Sequence, residues 1–201
     1  MKLYYSPGAC SLSPHIVLHE AGLAHTSVLA STKSHKLQDG TDYYTINPLG
    51  YVPVLELDDG TRLREGPAIV QYLADQAPHK NLAPANGTLA RYRLQEWLTF
   101  IGTEVHKAFS PLFNPATPEE FKTITKEKLA GRLKWVDSQL ADKQYLMGDT
   151  FSVADGYLFT VTNWAPRVGV DISGLANLNA YRARVAARPA VQAAMKAEGL
   201  V

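Results

Sequence analysis

The chain has 201 residues, 46% of them apolar and 19% charged, with 20 basic side chains against 19 acidic ones. That composition supplies core for one or two packed domains, while a net charge of +1 without any dense basic run gives a nucleic acid or a membrane surface no electrostatic handle. A single cysteine, Cys10, excludes an internal disulfide, and no signal-peptide pattern or run of about 20 apolar residues occurs, so a cytoplasmic location is the expectation.

The first elements are arranged around Cys10. Leu3, Tyr4 and Tyr5 suit a strand, Pro7-Gly8 breaks it, and Ser11 or Ser13 offers a cap for a helix over 13–21 with Pro14 in its first turn and Gly22 at its end. Cys10 therefore sits at a helix mouth, where unpaired N–H groups and the positive end of the macrodipole favour a thiolate. The competing reading is the usual one for a free cysteine, a small buried hydrophobe. Ser13 stands where the second sulfur of a Cys-x-x-Cys pair would be, so redox chemistry would need an external thiol.

A second strand over 26–30 leads into a polar, irregular crossover over 31–42, whose Lys33, His35 and Lys36 read as a solvated face. Asp59-Gly60 predicts a hairpin joining strands over 54–57 and 61–64, after which Glu65-Gly66-Pro67 opens a helix carrying Ile69, Val70, Tyr72 and Leu73. The order is βαβ, hairpin, helix: a small α/β unit ending near Ala77. The Val52-Pro53 bond is either cis, turning the Val52 backbone toward a ligand, or trans, the commoner state. Glu65-Gly66 offers backbone N–H groups to an anion and a carboxylate to an amine, or Glu65 simply complements the helix dipole.

A Pro- and Gly-bearing stretch over 76–87 is expected to be a linker, and the chain beyond it reads as helical. Leu94, Leu98, Ile101, Val105, Phe109 and Leu112 form an apolar stripe beside a polar one of Thr99, Thr103, His106 and Ser110, with Pro111 and Pro115 ending or kinking the helix. His106 is then either a surface histidine or a cleft group able to donate a hydrogen bond or move a proton. Thr117-Pro118-Glu119-Glu120 reads as a capping box for a helix to about Leu140 that buries Phe121, Leu129, Leu133 and Val136. Ser152 and Asp155 form a second capping box opening an apolar helix over 153–164, and two short helices close the chain. No internal repeat, Gly-rich phosphate loop, metal-ligand spacing or Ser/His/Asp set stands out.

Three blocks in order carry a resemblance: Met-Lys-Leu-Tyr-Tyr-Ser-Pro-Gly-Ala-Cys-Ser-Leu at the start, Glu104-Val-His-Lys-Ala-Phe-Ser-Pro-Leu-Phe in the middle and Arg188-Pro-Ala-Val-Gln-Ala-Ala-Met-Lys-Ala-Glu-Gly-Leu at the end. With Val52-Pro53, Glu65-Gly66 and the Ser152/Asp155 box, the whole chain resembles the bacterial beta-class glutathione transferases. The resemblance implies a thioredoxin-like α/β domain over 1–77, a linker over 78–87 and an all-α domain over 88–201. It implies a homodimeric enzyme that joins glutathione, as co-substrate and with no other cofactor, to a small hydrophobic electrophile. The alternatives are glutathione-dependent disulfide exchange through a Cys10 mixed disulfide, and a non-catalytic glutathione-binding module.

By the same resemblance, Cys10 and His106 act at the glutathione sulfur. Tyr5, His35, Tyr51, Val52, Pro53, Glu65 and Gly66 line the tripeptide, with Pro53 cis, and Thr99, Thr103, Glu104 and Lys107 lie nearby. Phe109, Phe113 and Trp164 form the electrophile pocket. This chain departs from the family pattern at His35, where many members carry a lysine for the glycyl carboxylate, so that contact falls to a pH-dependent group or to Lys33 or Lys36. Thr99 likewise replaces an amide found in some relatives.

Overall fold

The computed structural model describes residues 1–201 as two compact units, Met1–Ala83 with Arg188–Val201, and Pro84–Ala187. The boundary expected at the linker is thus only part of the division. The closing segment from Arg188 onward, expected within the helical domain, clusters with the first unit instead. Its partners there lie near the other end of the chain, a separation that conceals the contact from any local pattern.

The first unit is built on a mixed sheet in the order β2-β1-β3-β4, formed by β1 (Lys2–Tyr5), β2 (Thr26–Leu29), β3 (Val54–Glu56) and β4 (Arg62–Arg64). β1 runs parallel to β2 and antiparallel to β3, with Tyr4 opposite both Val28 and Val54. The expected hairpin joins β3 to β4. Period two divides β1 between the faces. Tyr4 enters a cluster with Tyr43, Ile46, Val52 and Val54, whereas Tyr5 lies against His15 of α1 (Leu12–Ala21), ring centroids 5.5 Å apart. At the sheet edge Glu56 accepts from Lys2 Nζ at 3.0 Å and Arg62 Nε at 2.8 Å, and these cations hold its carboxyl below the usual range, the Lys2 hydrogen bond contributing most.

α1 starts one residue before the expected point, and neither serine caps it through its side chain. Ser11 instead accepts from Ser6 N–H at 3.1 Å and donates to Ser6 C=O at 3.2 Å, tightening the loop that holds Cys10; Ser13 is buried inside the helix. α2 (Gly66–Gln76) and α8 (Pro189–Ala197) both pack on α1. Arg188 clamps Glu20 of α1 through two nitrogens at 2.6 and 2.9 Å, and Glu198, buried beyond α8, accepts from His15 Nδ1 at 2.9 Å.

The second unit holds α3 (Leu89–Phe100), a π-helical turn (Ile101–His106), α4 (Lys107–Phe113), α5 (Glu119–Gln139), α6 (Val153–Thr162) and α7 (Ala176–Ala186). The expected apolar stripe is buried from Leu94 to Phe109, but the wider turn interrupts the regular helix, and Pro111 sits inside α4 rather than ending it. Thr117 does not cap α5: Pro118 takes that position, and Phe121 is half-exposed rather than core. The Ser152/Asp155 box forms as expected, and every residue of α6 is buried. There the Asp155 carboxylate accepts from Ser152 N–H at 2.7 Å, Ser152 O–H at 2.8 Å and Leu146 N–H at 2.9 Å, a structural role that matches the capping reading.

Gly50 makes the clearest local demand. It has φ of +70°, and a Cβ there would stand 2.9 Å from both His35 Nδ1 and Tyr44 Cε1, whereas Gly60 in the hairpin has φ of +83° but open space around it. Gly50→Ala is expected to cost about 3 kcal/mol, strain plus overpacking, against about 1 kcal/mol for Gly60→Ala. Urea denaturation of the two variants checks this, and equal losses would exclude the steric part.

Candidate functional site

The loop between β1 and α1 is held at three points. Ala9 N–H donates to Ser6 C=O at 3.0 Å, Ser11 bonds Ser6 through its side chain, and Gly8 N–H donates to Glu198 Oε2 at 2.8 Å. Opposite it, Asn47 Nδ2 and Tyr43 O–H both donate to Tyr51 C=O, at 2.7 and 2.9 Å, fixing the turn that presents Val52-Pro53. The Val52-Pro53 bond is cis. Two separately anchored segments thus meet where the Cys10 thiol donates to Val52 C=O, Sγ···O 3.2 Å.

The charge on this sulfur differs from the sequence expectation. Burial pushes the Cys10 thiol up to about 11, and the Glu65 and Glu198 carboxylates push the same way; the backbone N–H groups of Cys10 and Ser11 pull it down but do not prevail. A helix terminus is worth at most about 2 kcal/mol to an anion, and desolvation beside two carboxylates exceeds it. Near neutral pH Cys10 is a thiol that donates a hydrogen bond, not a thiolate.

Glu65 lies near enough for its charge to act on Cys10. It has φ of +67°, an uncommon conformation for a residue with a Cβ, and its exposed side chain makes no capping bond to α2. Holding a non-glycine there costs about 1–2 kcal/mol, a strain of the kind that clusters at functional sites. Gly66 begins α2 with open space around it and no acidic side chain in the first turn. His35 also has positive φ, at +51°; its ring lies 4.7 Å from that of Tyr44, and its Nδ1 is buried without a partner. Tyr51 is largely exposed, and Lys33 and Lys36 are exposed. Of the predicted residues in this unit, Cys10, Val52, Pro53 and Glu65 come together, while Tyr5 is committed to the His15 side.

In the second unit His106 Nδ1 lies 2.7 Å from Tyr157 Oη, and its ring is 5.0 Å from that of Trp164. Trp164 in turn meets Phe109 at 5.5 Å and Phe113 at 5.7 Å, so the four predicted residues form one aromatic cluster, with Phe113 half-exposed. Burial, aided by Lys107, pushes His106 down to about 4. It is a neutral hydrogen-bonding imidazole near pH 7 rather than an acid. Glu104 turns elsewhere: it pairs with Arg132 at 2.8 Å and Lys128 at 3.9 Å on α5, and with Phe100 and Trp135 lines a depression of about 340 Å³. Thr99 is exposed, and its carbonyl accepts from Thr103 Oγ1 at 3.0 Å.

Sequence reasoning missed the supports. Tyr43, Asn47 and Tyr157 touch predicted residues, and Glu198 holds Gly8 of the loop that carries Cys10. None of them carries a local motif, and a buried acidic side chain at a helix end is the one available signal, which shows only once the helix is packed.

A cysteine before the first helix, beside a cis-proline leading into the antiparallel strand of a β2-β1-β3-β4 sheet, defines the thiol-binding arrangement of a thioredoxin-like protein. Residues 8–76 match the glutathione S-transferase N-terminal domain and residues 100–189 its C-terminal domain. The chain is 48% identical to glutathione S-transferase GstA of Escherichia coli O157:H7, over all of both chains. Its fold superposes on a bacterial beta class glutathione S-transferase of Sphingomonas chungbukensis with a TM-score of 0.97 at 50% identity, covering both chains fully. A sphingomonad glutathione S-transferase complexed with glutathione gives 0.96 at 49%, again with full coverage of both. The chain belongs to the glutathione S-transferase family, in its bacterial beta class.

Two titrations test the charges assigned to the site. Alkylation of Cys10 between pH 7 and 9 is expected to run roughly 100-fold slower than that of a free thiol, whose ordinary value is 9.0, because the thiolate fraction is correspondingly smaller; a rate equal to that of a free thiol would refute the protonated assignment. For His106 the folded value lies below the unfolded one, 6.5, so its neutral form stabilises the fold above pH 6.5 and that contribution is lost as pH falls toward about 4. His106→Asn should flatten the pH dependence of Tm within that window.

Proposed function

We propose that this chain conjugates the glutathione thiolate to small hydrophobic electrophiles, and that Cys10 serves as a hydrogen-bond donor to the glutathione sulfur rather than as the nucleophile. The observation that carries this reading is the Cys10 Sγ placed 3.2 Å from Val52 C=O, where the sulfur is the donor; burial, which pushes the thiol up to about 11, acts in the same direction. The β3 ladder begins only at Val54, leaving the Val52 backbone outside it. When the tripeptide docks alongside, its cysteinyl N–H takes over the Val52 carbonyl, and the freed Cys10 S–H turns to the glutathione sulfur. A donor stabilises the thiolate more than the thiol and so lowers that thiol's pKa. The thiol proton leaves to solvent, the sulfur lone pair forms the bond to carbon, and the electrophile's leaving group departs with its electron pair.

Glutathione as the thiol is supported by its presence in the sphingomonad relative. In this chain Glu65 would meet the α-amino group of the γ-glutamyl end and the Gly66 N–H its carboxylate; His35, with Lys33 and Lys36 beside it in sequence, is left for the glycyl carboxylate. The apolar surface formed by Phe109, Phe113 and Trp164 suits an aromatic or alkyl electrophile, with His106 as a neutral donor at its edge. The disulfide-exchange reading requires Cys10 itself to attack, which its raised pKa disfavours.

The reading extends to a homodimer. The second unit leaves Tyr92, Phe121, Ile124 and Trp135 partly or largely exposed, apolar surface that a second copy would cover. No helix is long and apolar enough to cross a membrane, and the location proposed is the cytoplasm.

Cys10→Ser, which keeps an O–H donor, should retain most conjugating activity toward an activated aryl halide, whereas Cys10→Ala should lose about 10–100-fold in kcat/KM, the worth of one hydrogen bond to a charged group. If serine is as inactive as alanine, the donor role fails. Glu65→Ala should raise KM for glutathione about tenfold or more while Tm moves little, since the exposed side chain supports no bond within the fold; an unchanged KM would remove Glu65 from the site.

A further inference from the structure

Three histidines lie together in the first unit, away from the Cys10–Val52 contact. His15 and His19 are one helical turn apart on α1, and His25 comes from the segment leading into β2. One ring nitrogen from each lies within 4.8 Å of the other two. The rings of His15 and His19 are 5.3 Å apart, and that of His25 stands edge-on to both, at 5.6 and 5.2 Å.

The hydrogen bonds around the cluster fix which nitrogens carry lone pairs. Glu198 Oε1 accepts at 2.9 Å from His15 Nδ1, which therefore carries the proton. His15 Nε2 is left as an acceptor, and the Ser27 hydroxyl donates to it at 3.2 Å. His25 Nδ1 must likewise be protonated, since Leu23 C=O accepts from it at 2.8 Å, and its Nε2 keeps the lone pair. His19 Nε2 is buried without any hydrogen-bond partner. A buried polar nitrogen left unpartnered is costly, and here it sits beside two imidazoles already oriented by a carboxylate and a carbonyl. Metal-bound histidines are held by the same outer partners, which set the tautomer and aim the free nitrogen.

We propose that His15, His19 and His25 bind a divalent transition metal of the zinc class through their Nε2 atoms. An all-imidazole set suits Zn²⁺, Ni²⁺ or Cu²⁺ and gives Mg²⁺ or Ca²⁺ no oxygen ligands. Three histidines leave a fourth tetrahedral position for water, and the exposed Ser27 beside them provides the access. Zn–N bonds of about 2.0–2.1 Å require the nitrogens to close to about 3.4 Å of one another. His19 and His25 are only partly buried, so the closing falls to them, while His15 is buried and held by Glu198. The metal would tie α1 to the start of β2 and, through His15 and Glu198, to the Gly8 N–H of the cysteine-bearing loop. The spacing His-x3-His-x5-His contains one helical i, i+4 pair and depends on a turn for its third member, so it carries no recognisable metal signature in the sequence.

The test uses the full chain stripped of metal by a chelator, in a Cys10→Ala background that removes the thiol as a competing ligand. Calorimetric titration with ZnCl₂ should give one saturable equivalent, Co²⁺ should give the intense visible absorption of a four-coordinate nitrogen site, and Zn²⁺ should raise Tm. His19→Gln and His25→Gln should each weaken binding at least about tenfold and remove the Co²⁺ absorption. Both positions are chosen because neither side chain holds Glu198, so the variants keep that buried contact; circular dichroism without metal checks their fold. Absence of saturable binding, or unchanged affinity in the double variant, would overturn the assignment.

Discussion

A carboxylate cannot stay buried unless its oxygens are occupied, and the first unit is built around one that meets this condition. Glu198 gives one oxygen to Gly8 N–H and the other to His15 Nδ1, so a residue at the far end of the chain fixes both the loop carrying Cys10 and the first helix behind it. Removing either donor would leave one buried oxygen without a partner, a loss that typically costs about 1–3 kcal/mol. This explains why the closing segment belongs to the first unit, with Arg188 on Glu20 as a second clamp.

The same carboxylate shapes the chemistry it supports. Its charge, with that of Glu65, works against ionisation of Cys10, so the groups that position the loop also keep its sulfur protonated. The opposing segment is tied independently, through Tyr43 and Asn47 on the Tyr51 carbonyl. The sulfur-to-carbonyl contact therefore lies between two preorganised backbones, neither of which needs the other to hold its shape. The positive φ of Glu65 and the tight fit at Gly50 both fall in this unit.

Much of this fold is legible in residue pattern: Asp59-Gly60 for the hairpin, Gly22 for the end of α1, Ser152 with Asp155 for α6. These are local signals, each set by a turn or a cap. Spacing alone leaves the Val52-Pro53 isomer open because both forms suit a strand entrance. Thr117 misleads because its capping pattern is sound but the proline after it takes the cap position. Phe121 misleads because an aromatic on an amphipathic helix need not face its own core. Among the expected site residues, Cys10 meets Val52 of the cis Val52-Pro53 pair and feels the charge of Glu65, and His106 meets Trp164. Glu104 does not join His106, since one helix presents them to different neighbours and two basic residues on α5 claim the carboxylate. Glu198 and the histidine cluster stay hidden in the sequence because their contacts span loops or nearly the whole chain.

The charge on Cys10 is the most instructive difference. Position at a helix mouth argues for a thiolate, and the argument is correct in sign, but it weighs one favourable dipole without the burial and the two carboxylates that only packing reveals. A protonated cysteine is the better tool for conjugation. On the proposed reading, with the glutathione sulfur beside Cys10, an ionised Cys10 would repel the glutathione thiolate, raising its pKa, and would compete with it for the electrophile. A neutral thiol lends a hydrogen bond, carries no charge of its own and leaves the single negative charge on the sulfur that has to react. On the second unit, His106 follows the same logic: burial keeps it neutral, so it can orient a partner without bringing a cation into the aromatic surface of Phe109, Phe113 and Trp164.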